Sequence, residues 1–86
     1  MKSQKLVTSV LEQKRIEAEK RKIANQISKI EEEIENLEDR KTNVNSQILL
    51  PENMSNSAKL NELTSQLQEI DNSLENLYEQ WELLNS

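Results

Sequence analysis

The sequence predicts an all-α fold, a two-helix antiparallel coiled-coil hairpin with an N-terminal helical overhang. Three observations carry this. Apolar residues recur with heptad spacing along nearly the whole chain, the only proline interrupts them once, and there are no glycines. A repeat of 3.5 residues draws one narrow apolar seam along a helix, and such a seam is buried only against another helix. With 86 residues, one Trp, one Tyr and no Phe, the chain has no bulk for a layered globular core. Charged residues make up 31% of it, which keeps a thin helical pair in solution.

Residues 1–18 form the overhang. Seven Lys and Arg side chains stand against three acids in residues 1–22, whereas the rest carries four basic against thirteen acidic residues, so the net −5 conceals a basic end on an acidic body. Leu6, Val7, Val10 and Leu11 make an apolar stripe out of phase with the heptads, which the hairpin does not cover. Three readings of it compete: docking onto another part of a larger protein, self-association, or a frayed end.

Residues 19–50 continue this helix as the first arm. Its seam runs through Ile16, Lys20, Ile23, Ile27, Ile30, Ile34, Leu37, Lys41, Val44 and Ile48. Pro51 lacks an amide hydrogen and forces Leu50 out of the helical region, so the arm is expected to stop near Leu49. Residues 51–57 are rich in turn formers and make the tip, with Asn56 or Ser57 as N-cap of the next helix. Residues 58–86 are the second arm, with its seam at Leu60, Leu63, Leu67, Ile70, Leu74, Leu77, Trp81 and Leu84.

Two registers close the antiparallel seams. One sets Val44 opposite Leu60, Ile30 opposite Leu74 and Ile23 opposite Trp81; the other, one heptad away, sets Ile30 opposite Trp81. A connection of roughly seven residues favours the first. It places Lys41 opposite Leu63, where the ammonium must reach sideways to water. A hairpin of this kind is roughly 55 to 60 Å long, or about 75 Å if the overhang continues straight.

The composition excludes several kinds of chemistry. The absence of Cys and His removes thiol catalysis, disulfides and the commonest zinc ligands. The acids Glu31, Glu32, Glu33, Glu35, Glu38 and Asp39 lie on a convex helical surface that provides no pocket to position them, so no metal site and no catalytic site is expected. No apolar run approaches a membrane span and no signal-peptide pattern opens the chain, so a cytoplasmic protein without membrane contact is expected.

Lys14, Arg15, Arg21, Lys22 and Lys29 fall within about 120° of one another on the face opposite Ile16, Ile23 and Ile27, at 100° per residue. Glu12, Glu17 and Glu19 point elsewhere. An outward basic ridge of this length can follow a phosphate backbone; the bland alternative is a solvated face with local ion pairs such as Glu17 to Arg21. Tyr78 and Trp81 neighbour each other on the second arm, with Trp81 read as seam packing and Tyr78 as flanking it with a wet hydroxyl.

The string Leu77-Tyr78-Glu79-Gln80-Trp81-Glu82-Leu83-Leu84 resembles the ending of the C-terminal coiled-coil domain of ABC-F (Uup-like) ATPases. Leu49-Leu50-Pro51-Glu52, followed by Lys59-Leu60-Asn61-Glu62-Leu63, is similar to that domain's hairpin tip, and the run from Gln13-Lys14-Arg15 to Glu31-Glu32-Glu33 to its basic-then-acidic first helix. The likeness covers about residues 12–86, with Gln80 standing where the family usually has Arg. It implies a cytoplasmic, ribosome- and translation-associated parent protein whose hairpin contacts DNA or ribosomal RNA. The chain contains no Walker motif, so any ATP would belong to cassettes elsewhere in such a parent, and this segment needs no cofactor. The second reading is a structural or protein-interaction coiled coil that docks or oligomerises its parent through Leu6, Val7, Val10 and Leu11.

Overall fold

A computed structural model describes the backbone from Lys2 to Ser86 and the side chains from Val10 onward. Helix α1 spans Lys2–Ile48, a single turn α2 spans Pro51–Met54, and α3 spans Ser57–Asn85. The arms α1 and α3 pack side by side as an all-α hairpin in a rod of 80 × 15 × 15 Å. The 47 residues of α1 alone account for about 70 Å of that length at 1.5 Å per residue.

The buried residues are the seam residues. Val44, Leu63, Ile70 and Leu74 form the core, with Ile34, Leu37, Ile48 and Leu67 packed half-buried around it. Leu63 is the most enclosed, only 1% exposed. Ile27, Ile30, Leu77, Trp81 and Leu84 continue the seam as half-buried positions, so the apolar stripe thins towards the open end. Trp81 is thus a partly covered packing residue.

At the tip, α1 stops at Ile48 because Leu50 is extended (φ −68°, ψ 131°), as the residue before a proline must be. The segment after it is not an open loop. Pro51 sits in the first turn of α2, where its missing amide hydrogen costs nothing, and the amides of Asn53 and Met54 both donate to the Leu50 carbonyl at 3.0 Å. Asn53 Nδ2 donates to the Gln47 carbonyl at 2.7 Å, beside the Leu50 amide that reaches the same oxygen at 3.2 Å, and so ties the tip to the last turn of α1. Asn56 then caps α3, its side chain accepting from the Lys59 amide at 3.1 Å.

The arms adopt the second of the two heptad registers, not the one favoured by connection length. Lys41 Nζ reaches Asp71 Oδ1 at 2.7 Å, and Tyr78 donates its hydroxyl to Glu38 Oε1, also at 2.7 Å. With Val44 opposite Leu60, Glu38 and Tyr78 would be about 18 Å apart along the axis, beyond the reach of any side-chain pair. The observed bonds set Ile48 opposite Leu63, Val44 opposite Leu67, Leu37 opposite Leu74 and Ile30 opposite Trp81. Lys41 accordingly faces the level of Ile70 and Asp71 rather than Leu63. The physical reason lies at the tip: the α2 turn takes up chain that a minimal loop would have left for α3, so α3 begins beyond the end of α1 and Leu63 meets its last turn.

One consequence is a longer overhang than the sequence predicts. In this register α3 ends opposite about residue 25, and every described residue from Val10 to Gln26 is exposed. Ile23 is therefore not packed on Trp81; it is 41% exposed.

The register makes a direct prediction about stability. Leu63→Ala should destabilise by about 3 kcal/mol or more, as expected for a truncated fully buried leucine. Ile23→Ala should cost less than about 0.5 kcal/mol, as for a surface substitution. Thermal melts of the two variants followed by circular dichroism check this; comparable losses would place α3 one heptad further along α1. Asn53→Ala should cost about 1 kcal/mol in the same assay, because it removes the 2.7 Å bond that ties the tip back to the last turn of α1.

Candidate nucleic-acid interface

Helix α1 positions the whole basic ridge, since Lys14, Arg15, Arg21, Lys22 and Lys29 all lie within Lys2–Ile48. All five side chains are exposed. None has a carboxylate within 4 Å: the two ion pairs among the described residues are Lys41–Asp71 and Lys59–Glu62. The Glu17–Arg21 pair of the solvated-face alternative is not among them. The ridge charges are thus available to an external anion.

The register divides the ridge. Lys14, Arg15, Arg21 and Lys22 stand on the stretch of α1 that α3 does not reach, where the helix is bare on every side. Lys29 lies at the border, lining a shallow groove with Gln26, Ile30, Glu33, Leu83 and Leu84 at the open end of the hairpin. The first four span about 12 Å of α1 from Lys14 to Lys22. The fifth is shared with a mixed surface that includes an acid.

Of the apolar residues assigned to partner binding, Val10 is 49% and Leu11 58% exposed. The side chains of Leu6 and Val7 lie outside the described residues. Ile16, also half-exposed, continues the seam beyond the end of α3.

The acidic run keeps a solvated face, with one member in specific use. Glu38 accepts the Tyr78 hydroxyl, and this hydrogen bond, with burial second, raises the Tyr78 pKa. Asp71 raises the Lys41 pKa, first by its hydrogen bond and then by its charge. These two cross-arm clasps sit within one turn of each other on α1 and were not visible in the sequence, because only the register reveals which residues face one another. Tyr78 is therefore tied through its hydroxyl to the opposite arm.

The arrangement is an all-α helical hairpin whose first arm carries the basic residues. The comparison with known families then gives the identity. The chain belongs to the ABC transporter C-terminal domain family, whose model matches residues 9–86. No curated protein and no solved structure matches it as a relative. The matched span agrees with the resemblance to the ABC-F ending and includes the ridge, both arms and the tip. Among the described residues, no helix is long and apolar enough to cross a membrane.

The clasps give the fold a pH dependence with a definite sign. Both groups have pKa values raised by folding, so their contribution is complete below the unfolded values of about 10 to 10.4 and is lost as pH rises through the folded values. The melting temperature should be insensitive to these groups from pH 6 to 9 and should fall above about pH 10. A Tyr78→Phe, Lys41→Met double variant should show a shallower alkaline fall than the parent. Identical alkaline profiles would remove the clasps from the stability of the hairpin.

Proposed function

We propose that this chain is a non-catalytic C-terminal domain of an ABC-F-like ATP-binding protein and that it binds nucleic acid, DNA or ribosomal RNA, through the basic ridge. The observation that carries the reading is the exposure of Lys14, Arg15, Arg21 and Lys22 on a bare stretch of α1, none of them ion-paired within 4 Å. An elongated ligand with regularly spaced negative charge fits such a row better than a compact anion, which needs convergent donors. Arginines and lysines on one helical face contact phosphates without reading bases, so binding is sequence-tolerant. Ribosome association in the cytoplasm accords with the ABC-F resemblance, and ATP hydrolysis belongs to cassettes outside this segment.

The exposure of Val10 and Leu11 favours a second reading, a protein-interaction coiled coil that docks or oligomerises its parent through Leu6, Val7, Val10 and Leu11. The two readings use different residues and are separable by substitution.

Binding to a short duplex should weaken steeply with salt. About three to five neutralised phosphates correspond to a slope of roughly −3 to −4.5 in log K against log salt on B-DNA. Changing Arg15, Arg21 and Lys22 together to Glu should abolish binding, measured by fluorescence anisotropy, while leaving helicity and melting nearly unchanged. Absence of binding by the unaltered chain to duplex DNA, single strands and structured RNA at low ionic strength would reject the ridge as a nucleic-acid site. Substitution of Val10 and Leu11 by Ser would then be the informative change.

A further inference from the structure

The seam of α1 does not stop where α3 stops. Ile16, Lys20 and Ile23 continue the heptads of Ile27 and Ile30 in phase, yet Ile16 is 51% and Ile23 41% exposed. We infer that an acidic amphipathic helix from a partner docks antiparallel on this bare seam, end to end with α3, and that Lys20 and Glu17 clasp it as Lys41 and Glu38 clasp α3. The ridge lies on the opposite face of α1, so the inference does not rest on the nucleic-acid reading above.

The observation that carries it is a repeat inside α1. Leu37, Glu38, Lys41, Val44 and Ile48 recur 21 residues earlier as Ile16, Glu17, Lys20, Ile23 and Ile27, each of the same chemical type. Three heptads separate the two sets, so both stand at the same seam and flank positions. α3 uses every member of the later set. Val44 is buried, Leu37 and Ile48 are half-buried, Lys41 Nζ meets Asp71 Oδ1 at 2.7 Å, and Glu38 Oε1 accepts the Tyr78 hydroxyl at 2.7 Å. Of the earlier set, Ile27 alone is half-buried, where α3 ends, and Lys20 is in neither of the two ion pairs among the described residues. A heptad seam is covered only by another helix, and this one carries the polar flanks that α1 uses to hold a helix in place.

Charge selects the occupant. Residues 10–26 carry five cations against three acids, whereas residues 27–48, the stretch that α3 covers, carry three cations against six acids. α3 itself has six acids and one cation, so it is docked on the acidic part of α1 while the basic part stands bare. An acidic helix finds on the bare seam the complementary charge that α3 lacks on its own. The bare stretch of a second copy would instead set basic residues against basic residues. The pattern required of the occupant is written in α3: apolar residues spaced as Leu67, Ile70 and Leu74, a carboxylate directly after the second, as at Asp71, and a hydroxyl donor seven residues on, as at Tyr78.

A synthetic peptide of residues 57–86, the sequence of α3 itself, is therefore the probe. The full chain already has one such helix on residues 27–48, so a labelled peptide should bind at the bare seam, followed by fluorescence anisotropy. Ile16→Asp with Ile23→Asp, which places two carboxylates in the new contact, should weaken binding by about tenfold or more. Helicity by circular dichroism should be retained, since both residues are exposed; should it be lost, Ile23→Ser gives the same comparison. Lys20→Met should weaken binding several-fold. Asp71→Asn in the peptide should weaken binding to the unaltered chain and change little for the Lys20→Met variant, as a direct pair requires.

No binding of the peptide overturns the inference. Equal binding by the Ile16→Asp, Ile23→Asp variant also overturns it, because the peptide would then be displacing α3 from residues 27–48. Unchanged binding by Lys20→Met overturns the clasp. A dimer of the unaltered chain, measured by light scattering and dissolved by the same two aspartates, would make a second copy the occupant and overturn the acidic partner.

Discussion

Everything in this molecule depends on how far along α1 the second arm is docked. A globular domain fixes its elements by contacts from several directions, whereas here each arm has one partner and one narrow seam. A displacement of α3 changes every layer together and leaves the pairing types almost intact. The docking position therefore sets the length of bare helix, the exposure of Ile23, the isolation of Arg21 and Lys22, and the enclosure of Leu63. Features placed outside the seam, the α2 turn and the two clasps, are what make one position different from the next.

This explains which parts of the structure could be read in advance and which could not. Seam membership was legible, because Val44, Leu63, Ile70 and Leu74 are buried at positions that a heptad count alone selects. The cap at Asn56 was legible from local chemistry, since an amide side chain before a run of good helix formers can accept from the first free amides. The register was not legible from the seam, because a heptad pattern is invariant to a shift of seven. Connection length chose the wrong alternative, as Pro51 began a helical turn where it was expected to open a loop. The Tyr78 hydroxyl bond to Glu38 spans 40 residues of sequence, and no local pattern announces it.

The ridge was legible as a face but not as a site. Helical periodicity places Lys14, Arg15, Arg21, Lys22 and Lys29 together whatever the second arm does. Only the end point of α3 determines which of them stand on a bare helix, and that follows from the register. Lys29, level with the end of α3 and close to Glu33, is consequently the least separated of the five from acidic surroundings.

The division of charge between the arms gives this geometry its meaning. Helix α3 contains Glu62, Glu69, Asp71, Glu75, Glu79 and Glu82 against the single cation Lys59. Its field opposes any anion approaching the paired part of the hairpin, and the acidic run on α1 from Glu31 to Asp39 acts in the same direction. At physiological salt such fields decay over about 8 Å. Lys14 and Arg15, some ten residues beyond the end of α3, stand about 15 Å clear of it along the axis, nearly two decay lengths. The same chain can thus be acidic overall and still carry a basic excess on the stretch of α1 that α3 does not face. The exposed stretch of α1 keeps its own three acids, Glu12, Glu17 and Glu19, and stands clear of the six on α3.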